Sequence, residues 1–312
     1  MTEQPPSDLF DEVFEFPRSA AQELYESLVG LDAEKERLSK HARALLRPAD
    51  LLEWSERNFQ TVIPLVGLLI KRLPLFVFEG DVGAGKTALA ETFGDEVAQT
   101  LGIPMVLYRL SLSARGTGAV GQMTELLTTA FRQIEDFARA IAREEGRPKK
   151  GVILLIDEAD ALAQSRELSQ MHHEDRAGVD ALIRGVDRIG SGGLPVLVVM
   201  CTNRPEALDP AIRRRAADIF TFGRPGLEER VAVLAQALHG TPFTAEDIRS
   251  IAEATGESDG RDYGCTYSDI VQRLLPNAVL DAFPQSSLSI QRVLQLAREL
   301  TPTPPFRATE RD

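Results

Sequence analysis

Gly80, Gly83, Gly85, Lys86 and Thr87 follow the apolar run Leu75-Phe76-Val77-Phe78 and precede a stretch of helix-forming composition. The spacing is G-x-x-x-x-G-K-T in a strand-loop-helix context, and the residue types explain what it can do. Glycines let successive backbone N–H groups curl around phosphate oxygens, and the helix that follows adds a partial positive charge at its N-terminus. Asp81, Val82, Gly83, Ala84, Gly85, Lys86, Thr87 and Ala88 are therefore the expected nucleotide contacts. Lys86 is placed to reach the terminal phosphates, and the Thr87 hydroxyl to ligate Mg²⁺. A glycine-rich turn without a ligand is the structural alternative.

Further along, Val152-Ile153-Leu154-Leu155-Ile156 delivers Asp157 and Glu158 at its end. Carboxylates after a buried parallel strand lie at the ligand-binding edge of the sheet. Asp157 can hold Mg²⁺, mostly through water, and Glu158 can orient and deprotonate an attacking water. An acidic helix N-terminus is the alternative. The run Val196 to Thr202 ends in Asn203, a neutral amide able to hold that water or the γ-phosphate without adding negative charge. Arg213, Arg214 and Arg215 are the densest positive charge in an acidic chain and suit either an arginine finger or a solvated basic helix end.

The elements needed to position these groups are legible as alternation. Apolar strands are expected near 75–80, 105–110, 151–156, 194–200 and 218–222, separated by helices, which implies a five-stranded parallel sheet covered on both faces. Leu127, Phe131, Ile134, Ala138 and Ile141 form one helical stripe. Beyond Gly223 only helical patterns appear. The expected division is a loose tail and helix over 1–28, an α/β domain over 29–223, and a small helical lid with a C-terminal tail over 224–312.

Composition narrows the class. The chain of 312 residues carries a net charge of −12, which disfavours a broad nucleic-acid face. Its two cysteines, Cys201 and Cys265, imply no disulfide framework and suit a reducing cytoplasm. No signal peptide is visible, and the apolar stretch Val62 to Leu75 is interrupted by Pro64, Lys71, Arg72 and Pro74, so no membrane partner is expected.

Taken in order, the phosphate loop, Asp157-Glu158, Asn203 and Leu208 to Arg215 resemble an AAA+ ATPase of the protein-remodelling clade, over Val29 to about Leu300. The resemblance implies that Val29 and Gly30 contact adenine, that Arg215 is the principal finger acting on a neighbouring subunit, and that Arg214 is an auxiliary one. It also implies a ring, usually a hexamer, driven by ATP and Mg²⁺. Within the clade, Tyr108-Arg109, Leu154 to Glu158, Arg176, Arg215 to Asp218 and Leu274-Leu275-Pro276 are most similar to the pachytene-checkpoint ATPases of the short bacterial type. Those imply a HORMA-domain protein partner in a cyclic-oligonucleotide anti-phage signalling system. The space before Val29 is too short for the substrate-recognition domain of the eukaryotic relatives.

Two departures accompany the likeness. The pore loop, including Ser113, Ala114, Arg115, Gly116 and Thr117, has no aromatic to grip a substrate. Thr266 to Ile270 places no arginine where many AAA+ lids present one to the phosphates, as in the vacuolar-sorting and katanin-like branch. Another AAA+ remodeller, or a DNA-associated switch or loader, is the alternative function.

Two other patterns carry less. Gly116 to Gly121 matches G-x-G-x-x-G, but it starts five residues beyond its strand, and Glu135 is expected mid-helix, unlike a dinucleotide site. His172-His173-Glu174-Asp175 reads as a solvated loop, since adjacent residues rarely share a metal.

Overall fold

The structure, a computed structural model, describes residues 9–112, 121–141, 143–144, 147–160, 162, 172–258 and 260–306. By proximity the chain forms two compact units. The first gathers the stretch up to Tyr25 with Ala33–Glu79 and Thr87–Thr221, and the second gathers Glu26–Asp32, Gly80–Lys86 and Phe222 onward.

In chain order the elements begin with β1 (Glu12–Phe16), α1 (Ser19–Ser27), α2 (Asp32–Leu46), α3 (Pro48–Phe59) and α4 (Pro64–Ile70). Next come β2 (Leu75–Gly80), α5 (Lys86–Leu101), β3 (Met105–Ser111) and α6 (Gln122–Ala140). Two short strands, β4 (Arg143–Glu144) and β5 (Arg147–Pro148), precede β6 (Gly151–Asp157), α7 (His172–Ser191) and β7 (Val196–Thr202). A one-turn helix α8 (Pro210–Arg213) leads into β8 (Ala216–Phe222).

The sheet has six strands in the order β1-β3-β6-β7-β2-β8. Pairings β3–β6, β6–β7 and β7–β2 are parallel. Strands β6 and β7 are buried at every position, as the unbroken apolar runs require when helices cover both faces. One face packs on α6 and α7 through Leu127, Phe131, Ile134, Leu182 and Val186.

The N-terminal segment corrects the sequence reading. In place of a loose tail, Glu12–Phe16 adds a sixth, antiparallel strand beside β3, with Phe10 and Phe16 buried. Its acids hide it from composition, yet Glu12 and Glu15 are what an edge strand uses to resist further pairing. Strands β4 and β5 form a two-residue antiparallel ladder of their own. His172 to Asp175, expected in a solvated loop, lie in α7.

The second unit carries the helices α9 (Leu227–Ala237), α10 (Ala245–Ala254), a π-helical turn (Asp269–Leu274), α11 (Leu275–Ala282) and α12 (Ile290–Glu299). Their core joins Leu234, Ile251, Ile270, Leu274 and Val293. Among the described residues no helix is long and apolar enough to cross a membrane.

Candidate active site

In the second unit, the loop leaving β2 turns through left-handed backbone. Gly80 has φ 139°, and a Cβ there would run into the Phe222 carbonyl oxygen. Gly83 has φ 70°, and a Cβ would lie 2.8 Å from Thr266 Oγ1. Only glycine tolerates both constraints. The Lys86 ammonium donates to the carbonyl oxygens of Gly80 at 3.1 Å and Asp81 at 2.5 Å, closing the loop on itself. A triphosphate is a stronger acceptor for that ammonium than a carbonyl. Val29 packs on the helical core of the same unit, and Gly30 takes φ 75° beside Tyr267 and Glu229.

In the first unit, α5 continues through Thr87 and Ala88. Asp157, 5% exposed, ends β6. Its Oδ1 accepts from Thr87 Oγ1 at 3.3 Å and from the Glu158 N–H at 2.9 Å. Its Oδ2 accepts from Arg109 Nη2 at 3.0 Å. A hydroxyl and a carboxylate oxygen at this separation are the hard donors Mg²⁺ takes, so the residues fit that ion.

Glu158 follows with φ 53°, a left-handed conformation that costs a non-glycine residue about 1 kcal/mol or more. Its side chain is exposed, and Ser111 Oγ on β3 donates to Glu158 Oε2 at 2.6 Å. A neutral hydroxyl thus meets the carboxylate at Oε2 without cancelling its charge.

Asp160 organises the end of β7. Its Oδ1 accepts from the Thr202 hydroxyl, from the Asn203 N–H at 2.8 Å and from the Arg204 N–H at 3.1 Å. Its Oδ2 accepts from Asn203 Nδ2 at 3.0 Å. The Asn203 amide is therefore fixed by an acid from the adjacent strand end.

The three arginines have three environments. Arg213 Nη2 bridges Glu79 Oε2 at 2.9 Å and the Pro205 carbonyl oxygen at 2.6 Å. Arg214 is exposed. Arg215 grips Asp187 on α7 by two bonds, Nε to Oδ1 at 2.9 Å and Nη2 to Oδ2 at 3.2 Å, and Nη1 reaches the Ala211 carbonyl oxygen at 3.3 Å. Asp209 caps α8 by accepting from the Ala211 N–H at 2.7 Å, which sets the turn that carries these residues.

Sequence reasoning missed the partners. Arg109 also meets Glu91 at 2.9 Å and Glu12 at 3.5 Å. Burial pushes the Glu91 carboxyl above its ordinary range while Arg109 pulls it back. Burial likewise disfavours the Arg109 charge, and the carboxylates of Glu91, Asp157 and Glu12 outweigh that. Asp160, three residues after Asp157, was visible as a third acid, whereas nothing in the spacing marks Ser111, Arg109 or Asp187 as partners. Ser113, Ala114, Arg115, Gly116 and Thr117 lie outside the described residues.

Comparison with known proteins shows the family. The profile of the ATPase family associated with various cellular activities (AAA) matches residues 76–224. CD-NTase-associated protein 6 from Escherichia coli (strain MS 115-1) is 47% identical over 299 residues, covering 96% of each chain. A chain of the E. coli MS115-1 HORMA:CdnC:Trip13 complex superposes with a TM-score of 0.89 at 46% identity, covering 97% of this chain and 100% of that one. Rhizobiales Trip13 superposes with a TM-score of 0.73 at 42% identity, over 95% of this chain and 100% of that one.

Proposed function

The chain belongs to the AAA family of ATPases, and from that premise we propose that it works as an ATP-driven ring that remodels or disassembles a HORMA-domain protein in a bacterial anti-phage signalling system based on cyclic oligonucleotides. The observation that carries the reading is the end-to-end likeness to a chain of a complex named for HORMA, CdnC and Trip13. The ring is a homo-hexamer acting in the cytoplasm, and nucleic acid is not its substrate. The helices of residues 224–312 serve as the lid; Gly80 to Lys86 and Val29-Gly30 cluster with them, and Asp157, Glu158 and Asn203 belong to the α/β unit.

The chain's own residues divide the work. Lys86 leaves the carbonyls of Gly80 and Asp81 for phosphate oxygens. Glu158, held by Ser111, takes a proton from the attacking water, and Asn203, fixed by Asp160, orients that water. Thr87 and Asp157 would hold Mg²⁺, mostly through water, and the ion would draw charge from the phosphate oxygens. Arg215 stabilises the developing charge on the nucleotide of the neighbouring subunit, with Arg214 beside it.

A mixing experiment tests the shared site. Glu158→Gln and Arg215→Ala proteins are each expected to be inactive. Mixed, they create interfaces that combine an intact Glu158 from one subunit with an intact Arg215 from the next, and ATP turnover returns. Mixtures that stay inactive would overturn the assignment of Arg215 to a neighbour. Stimulation of the wild-type rate by a purified HORMA-domain protein, absent with duplex DNA, tests the partner.

A further inference from the structure

We propose that Arg224 is a positioning residue for the phosphate loop: it neutralises Asp81 and ties the loop to the stretch of chain around Thr303, so that ATP affinity depends on both. The inference rests on the ATPase reading above and concerns residues of the second unit only.

Asp81 is an unexpected residue in a loop whose task is to surround phosphate. An uncompensated carboxylate beside a polyphosphate repels it. Here the carboxylate is fully engaged. Oδ2 accepts from Arg224 Nε at 2.6 Å, and Oδ1 accepts from the Val82 N–H at 2.9 Å. The backbone is held as well, since the Asp81 N–H donates to the Phe222 carbonyl oxygen at 3.1 Å. Both side chains of the ion pair are well shielded, at 14% exposure for Arg224 and 16% for Asp81, so solvent screens the pair less than it would a surface one.

Arg224 spends its remaining edges elsewhere. Nη1 donates to the Gly264 carbonyl oxygen at 2.7 Å and Nη2 to the Thr303 carbonyl oxygen at 2.6 Å, while the guanidinium lies 4.7 Å from the Tyr263 ring centroid. Thr303 is in turn anchored by Asp269, which accepts from its N–H at 3.0 Å and its hydroxyl at 2.7 Å. Asp269 also accepts from the Thr266 N–H at 3.0 Å, and Thr266 borders Gly83 of the phosphate loop. The Ser268 N–H completes the circuit by donating to the Gly83 carbonyl oxygen at 3.2 Å. The contacts leave the loop at Asp81 and return to it at Gly83. A lysine could replace the charge of Arg224 but not its three directed edges.

The test measures KM for ATP and kcat on the full-length protein. Arg224→Gln should raise KM by about tenfold or more, the equivalent of roughly one charge-assisted hydrogen bond, with kcat changed far less. Asp81→Asn placed in the Arg224→Gln protein should restore most of the lost affinity, because the charge that needed neutralising is gone. An unchanged KM in Arg224→Gln overturns the proposal. A raised KM that the double variant does not recover also overturns it, since Arg224 would then be a structural prop alone. Should Arg224→Gln lose its melting transition, Thr303→Pro serves, because it deletes the N–H and hydroxyl that Asp269 accepts. That variant should raise KM by about threefold, and an unchanged value overturns the link to Thr303. A wild-type protein that neither binds nor hydrolyses ATP would instead defeat the ATPase reading.

Discussion

Two short runs of like charge frame this molecule, and the fold treats them differently. Asp157, Glu158 and Asp160 follow β6, which lies inside the sheet between β3 and β7. Each acid therefore finds a donor on a flanking element: Thr87 on α5 and Arg109 on β3 for Asp157, Ser111 on β3 for Glu158, and Thr202 and Asn203 at the end of β7 for Asp160. Arg213, Arg214 and Arg215 precede β8, the last strand at one edge. Arg213 reaches Glu79, Arg214 stays exposed, and Arg215 grips Asp187 of α7 and the Ala211 carbonyl oxygen. Charges at a central strand end are immobilised from both sides. Before the edge strand, Arg213 and Arg215 each meet one acid.

That contrast can be broken or sharpened by substitution. The largest effect is expected for Arg215→Ala, which should lower turnover by about 10³-fold or more while ATP still binds. Phosphate release and nucleotide binding measured side by side check this, and a wild-type rate would reduce Arg215 to a structural cation like Arg213. Next, Asp160→Ala frees the Asn203 amide and should lower kcat by roughly 10–10²-fold with little change in KM, the signature of a misplaced but present group. An equal loss in KM would mean that Asp160 supports binding instead.

Smaller effects concern stability. Arg213→Ala strands Glu79, whose side chain is 10% exposed, without its cation. Because Arg213 itself is 37% exposed, the expected loss is only about 1–2 kcal/mol in denaturant unfolding. Glu79→Gln in the same protein should recover part of it. Least of all, Arg214→Ala should leave unfolding within about 0.5 kcal/mol of the wild type, so that any consequence appears in turnover alone.

The strands β2, β3, β6 and β7 were legible because each is a mainly apolar run, a pattern that a doubly covered sheet imposes, while β8 was legible from Ile219, Phe220 and Phe222 despite its mixed burial. The helical stripe of α6 was legible for the same kind of reason. Strand β1 was not, because an edge strand needs only a few inward side chains and here carries the exposed acids Glu12 and Glu15. The start of α7 was missed since His172 to Asp175 have no apolar face to register a helical period.

For the site, the sequence by itself determined the residue types able to do the proposed chemistry. Gly80, Gly83, Gly85, Lys86 and Thr87 are constrained by local backbone geometry, and Asp157, Glu158 and Asn203 by their place directly after buried strands. Tertiary structure alone decided what holds those groups. Arg109 reaches Asp157 from 48 positions away, Asp160 engages Asn203 from 43, and Arg224 reaches Asp81 from 143. A spacing rule sees neighbours along the chain. A charge is oriented by neighbours in space, and only folding brings those together.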